Sequence, residues 1–251
     1  MNKVGRFAIS MVIAFAVFFG VRFAMEEWRS GGLPRSPENA TMADIEEFVK
    51  QPPLPAMFDP IAKHFPEDAA QIKQALLDAI RKRASSDELM LLAQNAVIKM
   101  RKSHAHYVLT APDDHLKRII GLHLAMYEGL SREPAVCNKA IIEGVPSLTL
   151  SQKQQIIEAL PNVVAVMMEA LAAGKNEPVK RGEQTSDISD RFVRELENKM
   201  SEADLRVLFS PQRDIDRTCA AMIDMLKTMH QADFDGADIV RSDFARDLTA
   251  N

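Results

Sequence analysis

The spacing of apolar side chains changes character once along this chain. Residues 7–25, "FAISMVIAFAVFFGVRFAM", are nineteen positions with one charge, Arg22. Beyond them, apolar residues recur three and four apart between charged positions, the period of half-buried helices. Nineteen helical residues span roughly 28 Å at ~1.5 Å each, close to the ~30 Å of hydrocarbon that one membrane crossing needs. The stretch therefore predicts an N-terminal single transmembrane helix. Arg22 lies one turn from its end, able to lift its guanidinium toward the headgroups, and Trp28 falls where an interfacial aromatic would anchor the exit. A secretory signal needs a small-x-small cleavage site just after the run. The triplet of that kind, Ala14-Phe15-Ala16, lies inside it, so the segment reads as an anchor that stays.

After the anchor (1–25) comes "EEWRSGGLPRSPENA" (26–40), rich in Gly, Pro and Ser, without apolar periodicity and readable as a flexible linker. From residue 41 to 251 the pattern predicts an all-α soluble domain, an irregular multi-helix bundle of about eight helices. Thr41 with Asp44 caps a short helix holding Ile45, Phe48 and Val49, which "QPPLPAMFDP" (51–60) ends in an extended stretch. Pro66 opens a helix whose Ile72, Leu76, Leu77 and Ile80 share a face. Ser85 and Glu88 box the start of the next, which runs to about Tyr107, and Thr110 with Pro112 opens a third bearing Leu116, Ile119, Ile120, His123, Tyr127 and Leu130. Short connections make these three antiparallel neighbours.

Pro134 begins a helix with Cys137, Ile141 and Ile142, stopped by Gly144 and Pro146. A long apolar-faced segment follows, kinked or broken at Pro161. The polar loop 174–187 is the one seam within the domain. Further helices run over about 187–199, after Ser201, after Ser210-Pro211 with Cys219, Met222, Ile223, Leu226 and Met229, and in a short closing segment from Gly236 onward.

Charge narrows the class of partner. With the three cations of residues 1–25 set aside, 28 of the 31 basic side chains remain against 35 acidic ones, a balance of −7. An acidic body repels phosphate backbones, so nucleic acid is not expected as a partner. Lys3, Arg6 and the α-amine precede the apolar run, while Arg22, Arg29 and Arg35 lie in or after it. The basic groups next to a signal-like segment favour the amino end inside. In a bacterial cell this gives a single pass through the inner membrane, with the body in the periplasm.

Two patterns could carry chemistry. Cys137 and Cys219 are the only thiols, each near the apolar side of a helix, and in an oxidising compartment they are disulfide candidates. Neither belongs to a CxxC pair, which argues against a redox enzyme. His104, His106, His115 and His123 fall within twenty residues, and a helical hairpin would gather the first three at its turn. Those three are weak metal candidates, with Asp113 or Asp114 as carboxylate. The nearby cations Lys99, Arg101, Lys102, Lys117 and Arg118 favour an anion or lipid-headgroup site over a metal. His123, on the apolar face, reads as a hydrogen-bonded core residue.

The "DFDG" at 233–236 fails as a calcium loop, since Gln231 and Ser242 occupy its first and last ligand positions. The fourteen methionines read as core filling. There is no GxSxG, no phosphate-binding GxxxxGK[ST], no HExxH and no dinucleotide glycine motif. No cofactor is implied. The expected function is a membrane-anchored, non-enzymatic binding or scaffolding module with a protein partner. The alternatives are a metal-dependent enzyme built on the histidine-rich hairpin and a pH-responsive membrane-surface sensor.

Overall fold

A computed structural model describes residues 37–51, 54–144, 147–149, 151–152, 156, 163–209 and 215–250. The apolar segment 7–25, the linker to residue 36, Pro146, Pro161 and the Ser210-Pro211 helix start lie outside these. No helix among the described residues is long and apolar enough to cross a membrane. The described chain is all-helical, with eleven α-helices, three 3-10 segments and no strand. It divides into two compact units: residues 37–103 with 163–169, and residues 104–156 with 170–250.

The amino-terminal unit begins with a 3-10 turn, Pro37–Asn39, and helix α1, Met42–Phe48. The Thr41 hydroxyl accepts the Asp44 N–H, and the Asp44 carboxylate accepts the Thr41 N–H at 2.7 Å, so the expected capping box is present. Helix α2, Pro55–His64, occupies the segment expected to be extended. Pro55 suits a first turn, but Pro60 removes an interior hydrogen bond. Burial of Met57, Phe58 and Ile61 on one face offsets that loss, since fully burying each side chain is worth roughly 1.5–3 kcal/mol.

Helix α3, Pro66–Arg81, buries Ala69, Ile72, Leu76, Leu77 and Ile80, the stripe its spacing predicts. It stops at Arg83, which adopts the left-handed conformation (φ 61°) that glycine usually supplies. The Arg83 N–H donates to Ile80 O and the Ala84 N–H to Ala79 O, closing the helix with the paired bonds of a Schellman turn. Ser85 and Glu88 then box the start of α4, Ser86–His104. The core of this unit centres on Ile45, Phe48, Leu54, Phe58, Ile61 and Leu76.

In the carboxy-terminal unit, the last turns expected of α4 form a six-residue 3-10 segment, Ala105–Thr110, before helix α5, Asp113–Leu130. Helix α5 buries Leu116, Ile119, Ile120, His123, Met126, Tyr127 and Leu130 against the helices that follow. Those are α6 (Pro134–Ile142), α10 (Thr218–Gln231) and α11 (Ala237–Ala250). Helix α6 ends before Gly144, whose φ of 88° admits glycine far more readily than a residue with a Cβ. Helix α7, Val163–Asn176, divides at residue 170 between the two units.

Helices α8 (Ser186–Lys199) and α9 (Glu202–Phe209) lean on α10 through Leu196, Met200, Val207 and Ala221. Ser201 caps α9 as expected, accepting the Asp204 N–H at 3.2 Å. Helix α10 starts at Thr218, after a 3-10 turn at Ile215–Arg217, and α11 runs for fourteen residues, longer than its sequence suggests.

The loop expected to be a seam is fastened down. Gly174 approaches the 3-10 segment so closely that a Cβ there would sit 1.8 Å from Tyr107 O. The Thr110 hydroxyl, expected to open α5, instead donates to Gly174 O at 2.8 Å, and the Val179 N–H donates to Thr110 O. The division between units falls elsewhere, at residues 103–104 and within α7.

Candidate functional site

The histidine-rich stretch does not assemble as a ligand set. His104 and His106 lie beside the Tyr107 ring, with centroids 5.8 and 4.0 Å away. His115 turns Nδ1 inward, where it meets no hydrogen-bond partner. His123 is a core residue with Nδ1 2.8 Å from Ile119 O. Among the described residues, no three His, Cys, Asp or Glu side chains are grouped as a metal ion would require.

Asp113, expected as a possible carboxylate ligand, is already engaged. Arg241 donates Nε to Oδ1 at 2.7 Å and Nη2 to Oδ2 at 2.8 Å, and Lys117 lies 3.2 Å from Oδ2. Burial pulls the Asp113 pKa upward, but the hydrogen bonds and charges of Arg241 and then Lys117 outweigh it and hold the carboxyl below its ordinary value.

The five cations expected to form an anion site are split between the units. Lys99 and Lys102 are exposed on α4, but Arg101, expected among the cations facing an anion, is 1% exposed. The reason is helical register: Arg101 continues the buried stripe Ala93, Val97 and Met100. Burial pushes its guanidinium pKa down to about 10. On α5, Arg118 is exposed and Lys117 is committed to Asp113.

The cysteines do meet. Cys137 on α6 and Cys219 in the first turn of α10 form a disulfide, with Cα atoms 5.6 Å apart and a sequence separation of 82. Both are buried, and the neighbouring Asn138 accepts the Cys219 N–H at 2.7 Å through Oδ1. The chain has two cysteines, and neither is free.

Three arginine-centred arrangements escaped sequence reading. Arg241, besides its fork onto Asp113, donates Nη1 to Met229 O and Ala232 O at 3.2 and 2.7 Å. It thereby serves carbonyls left open at the C-terminal end of α10 while its partner carboxylate sits in the first turn of α5. Arg181 pairs with Asp238 at 2.7 Å and donates Nη1 to Leu109 O at 3.0 Å. In the amino-terminal unit, Arg81 donates Nε to Ala40 O at 2.9 Å and Arg83 donates Nε to Glu38 at 2.7 Å. Arg241–Asp113, Arg181–Asp238, Arg81–Ala40 and Arg83–Glu38, at sequence separations of 128, 57, 41 and 45, leave no local signal.

One apolar edge stays open. Phe192, Leu205, Leu208 and Met225 are partly buried around the α8–α9–α10 cluster, and Phe209 is 58% exposed. Compared with protein-family models, curated proteins and solved structures, the chain matches none.

Proposed function

We propose that the chain is a single-pass, membrane-tethered protein whose helical body works outside the cytoplasm, in a bacterial cell in the periplasm. There it acts as a non-enzymatic binding or scaffolding module with a protein partner. The observation that carries this reading is the Cys137–Cys219 disulfide, which uses every thiol of the chain. Such bonds persist in oxidising compartments and are rare in cytosolic proteins. The apolar run at 7–25, with Lys3 and Arg6 before it, supplies the route to such a compartment.

The side chains best suited to chemistry are engaged in holding the fold, which favours a binding role over catalysis. Asp113 is clamped, Arg101 is buried, and His104 and His106 pack on Tyr107. A topology assay on the full chain tests the compartment. Reporters active only outside the cytoplasm, fused after residue 40 and at the carboxyl end, are expected to be active, and both thiols to resist alkylation until reduced. Cytosolic protein with two free thiols overturns the reading. Crosslinking in native membranes tests the binding role, with a discrete heteromeric product expected; repeated recovery of the chain alone counts against it.

A further inference from the structure

The bond between α6 and α10 is shut in from several sides. Cys137 is 0% and Cys219 4% exposed, and the residues beside them, Val136, Asn138 and Thr218, are buried as well. The Cys137 Sγ lies 3.8 Å from the backbone oxygen of Tyr127 on α5, a residue with no exposed surface. On the other side, Asn138 Oδ1 holds the Cys219 N–H at 2.7 Å. Three helices, α5, α6 and α10, therefore enclose the two sulfurs.

A disulfide is made or broken when a thiolate reaches one sulfur and displaces the other, so its rate depends on access as well as on chemistry. An external thiol or disulfide reaches either sulfur of the folded body only by parting α6 from α5 or α10. We infer that the bond closes while α6 and α10 are still loosely associated, through a thiol–disulfide oxidant that meets the incompletely folded chain, and that packing then seals it. The inference rests on the oxidising compartment proposed above, and not on the tether.

The step balances as an exchange. One cysteine thiolate attacks the oxidant's disulfide, forming a mixed disulfide and releasing one of the oxidant's sulfurs as a thiolate. The second cysteine thiolate then attacks the chain's own sulfur in that mixed disulfide and expels the other. The chain gives up two electrons and two protons, and the oxidant leaves as two thiols. Two cysteines allow a single pairing within one chain, so the reaction calls for an oxidant and for no reshuffling of wrong pairs. The finished bond is a lock and not a redox switch, because the packing that follows its closure also bars the reductants that would reopen it.

The test uses the full chain in mild detergent, with dithiothreitol as reductant and alkylation read by mass. Reduction in native buffer is expected to run at least about a hundredfold slower than in denaturing urea at the same reductant concentration, because it waits on an opening of the helices. A smaller difference means that the sulfurs are reachable in the folded body and overturns the seal.

The order of events is read from the reduced chain, with oxidised glutathione as the oxidant. Held in urea, its thiols are expected to be consumed at least about a hundredfold faster than those of chain first refolded in the reduced state. If circular dichroism shows that the reduced chain does not refold, closure necessarily precedes packing and the order stands. If it refolds and the difference is smaller than expected, the order is overturned while the compartment reading is untouched. Chain isolated from cells with both thiols free overturns the compartment reading itself, and this inference falls with it.

Discussion

Two sets of arginines do opposite things in this molecule. On α11 and its neighbours, Arg241 is buried and the Arg181 side chain is 6% exposed, and their donors meet carboxylates and backbone carbonyls. At the α3–α4 turn, Arg81, Lys82 and Arg83 stand at the surface, and the two arginines bond to Ala40 O and Glu38. The buried Arg241 guanidinium is matched at Nε, Nη1 and Nη2, and these close partners offset the desolvation penalty of the interior. An exposed one has no such requirement and is free to answer an external charge. Residue type alone does not separate buried clamps from surface cations; their burial and partners do.

A large break in this comparison is expected at Arg241. Arg241→Ala leaves the partly buried Asp113 without its main partner and the Met229 and Ala232 carbonyls without a donor, and should cost about 3 kcal/mol in urea unfolding. The other tie in the same unit, Cys137–Cys219, closes a long loop, so Cys137→Ala with Cys219→Ala should cost roughly 2–5 kcal/mol by the same measurement. Gly174→Ala drives a Cβ into Tyr107 O and should cost about 2–3 kcal/mol, lowering the thermal midpoint by circular dichroism.

A pH titration sharpens the contrast further. The folded Asp113 carboxyl lies below its unfolded value of ~3.9, so its contribution is complete above that value and is lost as pH falls through the folded one. Stability should therefore be insensitive to Asp113 from neutrality down to about pH 5 and decline below about pH 4, with a shallower decline in Arg241→Ala. The smallest effect is expected at the exposed turn. Arg83→Gly relieves the left-handed backbone and should change stability by at most about 1 kcal/mol, in the favourable direction. A large loss there would place Arg83 with the buried clamps instead.

Much of the fold was legible because the signals are local. Thr41 with Asp44, Ser85 with Glu88, Pro66, Pro134 and Ser201 mark helix starts, each acting within a few residues of itself. The stripes on α3 and α5 follow from the helical repeat. Helix α2 was missed because its prolines oppose a helix locally, while the burial that rescues Met57, Phe58 and Ile61 is tertiary. Arg101 was misplaced because charge argued for the surface and register for the core, and register prevailed.

What the chain order determined by itself is the helical character, most of the caps and the inward faces, since each depends on neighbours three or four positions away. It also supplied both cysteines, but not the fact that they meet. Tertiary structure alone decided that pairing, the clamp of Arg241 on Asp113, the fastening of the 174–185 loop and the placing of a basic turn where the linker joins the body. Those outcomes rest on contacts between residues tens of positions apart, whose free energy is realised only once packing has fixed both partners and excluded water from between them.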